Sequence, residues 1–323
     1  MKAVRVTEFG PPEVLRVEEV ADPVPSAGQV LVDVDVAGVG YGDVIVRSGR
    51  YPFPTPYVPG LEAGGTIRAV GPGADPALVG RRVVAATLGM TGGYASLALA
   101  EAANTFEVPA DLPLEHAVAV FQAGAVAFGL VAAIDVRPGE SVLVTAAAGR
   151  IGSLLVQRAK AAGAGLVVGA VGGAEKAGIV GEFGADVAVD HSAPDWVAQV
   201  RRATGGRGTD VTLDAIGGDI GARALEATAG GGRFGLYGFT SGTWVPLDAH
   251  QIGRRGITVV GALGIAFAKS AAEQRADAEA ALKAAVAGEL VPRIHDTFPL
   301  DQAAAAHAAV ESRSTVGAVL LTP

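Results

Sequence analysis

Apolar and polar side chains alternate with a period of two through Val30-Leu31-Val32-Asp33-Val34-Asp35-Val36, and again through Gly65-Thr66-Ile67-Arg68-Ala69-Val70 ahead of Gly71-Pro72-Gly73. Such runs, broken by Gly and Pro, predict short strands with one face in a core and one in water. They dominate residues 1–120 and predict a small, mostly antiparallel barrel. From about residue 121 to 264 the rhythm changes. Apolar runs near 141–145, 166–171, 187–190, 210–214, 233–237 and 257–262 alternate with helical stretches such as Asp195-Trp196-Val197-Ala198-Gln199-Val200-Arg201-Arg202. Strands apolar on both faces and separated by helices predict a parallel, doubly wound α/β sheet. Beyond it the pattern predicts an Ala-rich helix around 271–287, another around 301–311 and a strand at Gly317–Leu321.

One junction in this pattern carries chemistry. The strand Ser141-Val142-Leu143-Val144-Thr145 passes through Ala146-Ala147-Ala148-Gly149-Arg150-Ile151-Gly152 into the helical run Ser153–Lys160. Strand, tight turn and helix form the unit that cradles a dinucleotide pyrophosphate. Small residues let the backbone approach the phosphates, and N–H groups at the helix start meet their charge. Ala147 replaces the first glycine of G-x-G-x-x-G, leaving Ala147-x-Gly149-x-x-Gly152. A plain Gly/Ala-rich turn carries the same letters, and it is the setting between two strands that favours the dinucleotide.

The second strand ends in Gly172-Gly173-Ala174-Glu175-Lys176. Units that prefer NAD place an Asp or Glu at that strand end for the ribose 2′-hydroxyl. Here the acid is missing, two glycines leave room, and Lys176 follows, a combination suited to the 2′-phosphate of NADPH. Gly217, and Gly238-Phe239-Thr240, fall just past the fourth and fifth strands, where ligands of open sheets bind. Structural turns would read the same way.

Composition narrows the class. A chain of 323 residues is long enough for two domains. Its net charge of −8, without basic clusters, argues against a nucleic-acid surface. The absence of cysteine excludes disulfides, thiolate catalysis and Cys-ligated zinc. Apolar runs are interrupted by Gly or Pro well short of the roughly 18 to 20 residues of a membrane span, and Met1–Val6 begins a strand pattern at once, so a soluble cytoplasmic protein is expected.

Four segments in order resemble the medium-chain dehydrogenase/reductase superfamily, specifically its zinc-independent quinone oxidoreductase branch, over essentially the whole chain. They are Val46–Pro52, Pro59–Gly65, Ala146–Gly152 and Glu311–Gly317. The resemblance implies a GroES-like, barrel-type catalytic domain from residues 1–120 and 265–323. It implies a Rossmann domain from 121–264, with NADPH in the cleft between the two. Zinc-dependent relatives carry a His before Glu62 and a Cys near position 40, where this chain has Leu61 and Gly40. A catalytic zinc needs about three protein ligands, so no metal site is expected. Reduction of a quinone or an α,β-unsaturated carbonyl is then favoured over alcohol oxidation. An enoyl-thioester reductase and an NADPH-binding sensor without turnover remain as alternatives.

The resemblance also carries individual residues. Lys176 matches a lysine on the 2′-phosphate, and His191 stands where a tyrosine often packs on the cofactor. Arg313 matches an arginine that reaches the phosphates, though an arginine in an exposed Ser/Thr-rich turn is also an ordinary solvated residue. Arg150 departs from the usual Gly or Ala, and either meets the pyrophosphate or projects to solvent. Two polar positions that commonly line the substrate site are lost, at Gly40 and Val126. Tyr51 and Tyr41 remain as candidate catalytic donors, with Asp43 and Gln122 as the other polar candidates. A homodimer is expected through the sixth strand, Gly256–Leu263, an apolar sheet edge without proline or charge.

Overall fold

The computed structural model describes residues 1–323. In chain order its first elements are β1 (Lys2–Arg5), β2 (Arg16–Glu19), β3 (Gln29–Val39), α1 (Tyr41–Arg47), β4 (Glu62–Val70), β5 (Arg82–Thr87) and β6 (Leu97–Glu107). Then follow α2 (Leu114–Ile134), β7 (Ser141–Thr145), α3 (Arg150–Ala161), β8 (Leu166–Val171), α4 (Ala174–Val180), β9 (Val187–Asp190) and α5 (Trp196–Ala203). Next come β10 (Thr209–Asp214), α6 (Gly218–Ala227), β11 (Thr228–Leu236), α7 (Ala249–Arg255), β12 (Thr258–Val260) and α8 (Ala262–Phe267). The chain finishes with α9 (Ala271–Val286), β13 (Ile294–Pro299), α10 (Ala303–Glu311) and β14 (Ala318–Thr322). Contacts divide it into a first unit, residues 1–122 and 292–323, and a second, residues 123–291.

The first unit holds a six-stranded sheet in the order β13-β14-β3-β4-β5-β6, and β3 also pairs with β6. That extra pairing turns β3, β4, β5 and β6 into a closed antiparallel ring; only β13 and β14 run parallel. Val30, Val32, Ile67, Val83, Ala85 and Ala100 fill one core. They include the inward positions of the alternating segments, as the period of two requires. A second core joins Val4, Val34 and Tyr94 to Leu300, Ala306 and Leu321, so segments from both ends of the sequence build one interior.

The second unit is a parallel six-stranded sheet in the order β12-β11-β10-β7-β8-β9. Chain order reverses beside β7, and in open sheets of this kind ligands bind at that switch point, outside the strand C-termini. Residues of β7 are wholly buried, which accounts for the lack of alternation there.

Two expectations are corrected. Residues 265–291 belong with the second unit, not with the terminal segments. Ala266 lies so close to Gly129 that a Cβ on Gly129 would come within 2.9 Å of it. Gln157 also exchanges two hydrogen bonds with the Val291 backbone, at 3.0 and 2.8 Å. An alanine-rich stretch packs equally well against either neighbour and names neither. Helix α2, moreover, is long and apolar enough to cross a membrane, contrary to the reading of short apolar runs. The glycines within it, Gly124 and Gly129, do not interrupt the helix. Because 67% of its most apolar window is buried inside the protein, its hydrophobicity is that of a core helix.

Candidate functional site

The turn from β7 into α3 is shaped by close approach. A Cβ on Gly152 would sit 2.1 Å from the Ala146 carbonyl oxygen, so only glycine fits there. Ala146 itself adopts a left-handed backbone, φ +50°, a conformation that L-residues accept at some cost. Ala147 is fully buried and faces Gly169, where an added Cβ would lie 3.1 Å away. Gly149 is the N-cap and Arg150 the first residue of α3, which Ile151 and Gly152 continue. The opening N–H groups of a helix have no partner within it. A cation at this end opposes the helix dipole, and Arg150 stands there half-buried.

At the end of β8, Gly172 is exposed and Gly173 has φ +99° with open space where a side chain would stand. Asp190, at the end of β9, holds this turn. Its Oδ1 accepts from the Ser192 hydroxyl at 2.6 Å and from the N–H groups of Gly173 and Ser192, each at 2.9 Å. These bonds hold the carboxyl below its ordinary range and occupy it with the backbone. The His191 ring lies beside Gly172, where an added Cβ would come within 3.2 Å of its Cε1. Lys176, on the first turn of α4, is half-buried, and burial lowers its pKa. The sheet thus brings Gly172 and His191 together at a strand end that carries no acid, with Lys176 on the helical turn that follows.

A buried lock gathers the remaining candidates. Asp214 is fully buried. It accepts from Thr145 Oγ1 at 2.7 Å and from the N–H groups of Ile216 and Gly217 at 3.2 and 2.9 Å. Burial raises its pKa, and those three donors oppose the rise. Thr145 Oγ1 accepts in turn from Ala215 N–H at 3.0 Å, and the Tyr237 hydroxyl donates to the Thr145 carbonyl at 3.2 Å. Backbone bonds then join the two loops: Thr240 to Ala215 at 2.9 Å, Ser241 to Ile216 at 2.8 Å and Gly218 to Thr243 at 3.1 Å. Gly217, at φ +69°, leaves no room for a Cβ, which would lie 2.2 Å from the Thr243 oxygen. Gly238 and Phe239 ride on the second loop, Phe239 tilted against Trp244 at 4.7 Å between centroids. Sequence reading missed Asp214, Thr145, Tyr237 and Asp190. The available signal was a carboxylate as the last residue of each of two strands.

In the first unit, Tyr41 opens α1, and Arg50 donates to its hydroxyl at 3.4 Å. Tyr51 is 58% exposed. Asp43 is buried and committed to the fold: Oδ2 accepts from Gly40 N–H at 2.9 Å and Oδ1 from Gly60 N–H at 3.2 Å. Glu62, also buried, accepts from Gln122 N–H at 3.3 Å. Arg313 is exposed and has φ +57°. No three His, Cys, Asp or Glu side chains are gathered as metal ligands would be.

A closed antiparallel ring in one unit and, in the other, a doubly wound sheet with a small-residue turn at its switch point define the dehydrogenase class of dinucleotide-binding proteins. The chain belongs to the medium-chain dehydrogenase/reductase superfamily, in its quinone oxidoreductase branch. Residues 26–110 match the alcohol dehydrogenase GroES-like domain, and residues 151–286 match the zinc-binding dehydrogenase domain. A 2-haloacrylate reductase from Burkholderia sp is 33% identical over 99% of this chain and 98% of its own. The quinone oxidoreductase of Sus scrofa is 31% identical over 99% and 97%. The crystal structure of Escherichia coli quinone oxidoreductase complexed with NADPH superposes with a TM-score of 0.92 at 29% identity, covering 100% of both chains.

Proposed function

We propose that this chain is an NADPH-dependent oxidoreductase that reduces quinones or the conjugated double bond of α,β-unsaturated carbonyl compounds, without zinc. The end of β8 carries the cofactor reading. Its exposed Gly172, the open space at Gly173 and half-buried Lys176 suit a 2′-phosphate, while Asp190 is engaged by the backbone instead of waiting for a ribose hydroxyl. Ala147, Gly149, Ile151 and Gly152 would admit the pyrophosphate to the start of α3, with Arg150 supplying a charge-assisted contact. His191 would border the adenosine, and Gly217, Gly238, Phe239 and Thr240 would line the crevice at the switch point. Arg313 would add a phosphate contact. When bound, NADPH supplies a hydride from its nicotinamide ring.

The substrate reading rests on chemistry. Quinone and 2-haloacrylate, the acceptors in the names of two relatives, are both conjugated systems that spread incoming charge without a Lewis acid. Leu61 and Gly40 supply no metal ligand, and Glu62 accepts from the backbone. Tyr51 or Tyr41 would donate the proton to the acceptor oxygen. The test is NADPH oxidation against quinones, enones, 2-haloacrylate and enoyl-CoA esters. Turnover of the conjugated acceptors is expected, and in the reverse assay no reduction of NADP+ by saturated alcohols. Tight NADPH binding with no turnover would instead identify a sensor.

We further propose a homodimer paired through β12.

A further inference from the structure

One buried charge in the first unit has no part in the proposed chemistry. Arg47 ends α1 and is 1% exposed. Its Nη2 donates to Glu311 Oε1 at 2.5 Å, across 264 residues of sequence, and its Nη1 donates to the Gly10 carbonyl at 2.7 Å. Its Nε has no partner. One turn before Glu311 on α10, His307 is fully buried, with Nε2 3.1 Å from the Tyr94 hydroxyl and Nδ1 unpartnered. With Arg47 buried and Glu311 half-buried, the pair is a poor source of stability, since desolvation of the guanidinium offsets much of the attraction; the best attested use of such a pair is to fix register. The alanine-rich face of α10 could pack against α1 at several offsets. A single buried guanidinium bonded to both Gly10 and Glu311 selects one.

The register also fixes where the turn after α10 begins. Glu311 is followed by Ser312 and then Arg313, whose left-handed backbone must be held in place. The far end of the turn is pinned at Gly317, where a Cβ would lie 2.1 Å from the Arg293 oxygen. Ser312 and Ser314 close it internally, hydroxyl to hydroxyl at 2.7 Å. The near end is pinned by Arg47. We propose that the Arg47–Glu311 pair is a positioning device that presents Arg313 to the cofactor phosphate, referenced to the helix that carries Tyr41. This rests on the reading of Arg313 as a phosphate contact, and the test separates the two.

NADPH dissociation constants are measured by fluorescence titration for the wild type, Glu311→Gln, Arg313→Ala and the double variant, with melting temperatures alongside. Arg313→Ala is expected to weaken NADPH about tenfold, the scale of one charge-assisted contact. Glu311→Gln keeps the side-chain shape and should weaken it several-fold, with kcat at saturating NADPH within about twofold of wild type. In the Arg313→Ala background Glu311→Gln should add less than about twofold, because the pair acts through Arg313. Arg47→Lys should recover most of the affinity lost in Arg47→Met. Full additivity of the two changes, or no effect of Glu311→Gln alone, overturns the proposal and leaves the cofactor reading intact. Unchanged affinity in Arg313→Ala overturns both. If Arg47→Met does not fold, the cycle on Glu311 and Arg313 decides alone.

Discussion

Lys176 is the residue on which cofactor preference turns. A lost charge-assisted phosphate contact costs roughly 1.5–3 kcal/mol, so Lys176→Ala should raise the NADPH dissociation constant about tenfold or more and leave NADH nearly unchanged. Equal wild-type affinity for both cofactors would defeat the idea. His307 makes a second prediction. Burial, and then the Arg47 charge, push its pKa from 6.5 down to about 3. Between those values the unfolded chain binds a proton that the folded chain refuses. Stability is therefore fully present above about pH 6.5 and falls as pH drops toward 3, by at most roughly 1.4 kcal/mol per pH unit. His307→Gln should flatten the melting temperature between pH 6.5 and 4; an equally steep profile would assign the acid sensitivity to another group. The close turn at Gly152 was legible in the sequence because its spacing is local. Asp214 and His307 were not, since their partners Thr145 and Tyr94 stand 69 and 213 residues away.

Among the elements, β12 bears the assembly prediction. It is the terminal strand of its sheet, with Thr258 exposed and Val259 and Val260 half-buried. An edge of this kind, without proline or charge, is a template for pairing, and two copies about a twofold axis would satisfy both edges. Val259→Pro removes a backbone donor and should shift dimer to monomer in light scattering; wild-type protein that is monomeric at micromolar concentration would refute the pairing. Strands β7 to β9 were readable from apolar runs alone. β11 was read from 233 but begins at Thr228, because Gly230-Gly231-Gly232 carries no apolar signal and the pairing of Thr228 with Thr209 supplies what the side chains do not. The β12 run, read as 257–262, is cut to three strand residues, since Gly261 turns the chain into α8.

At the scale of the molecule, the alternation of patterns announced two architectures, and the contacts then moved one border. The shift from period two to alternating strands and helices fell near residue 121, against 122 for the end of the first unit's leading segment. The return fell at 265 instead of 292 because α9 has no face that its letters distinguish. A whole-protein test follows for the metal: dialysis against a chelator should leave activity and melting temperature unaltered, and elemental analysis should find no stoichiometric zinc. A bound equivalent whose removal stops turnover would show that the Leu61 and Gly40 positions were misread. The route of the chain has a further consequence during synthesis. Residues 37–39 of β3 pair with 319–321 of β14, so that stretch waits for its partner while everything between them is translated. At about 5–20 residues per second the wait is on the order of tens of seconds. The parallel sheet, complete once Val260 has emerged, can thus assemble on the ribosome while the earlier-made sheet still shows the nascent chain's neighbours an open edge, and the strands made first are the last to be finished.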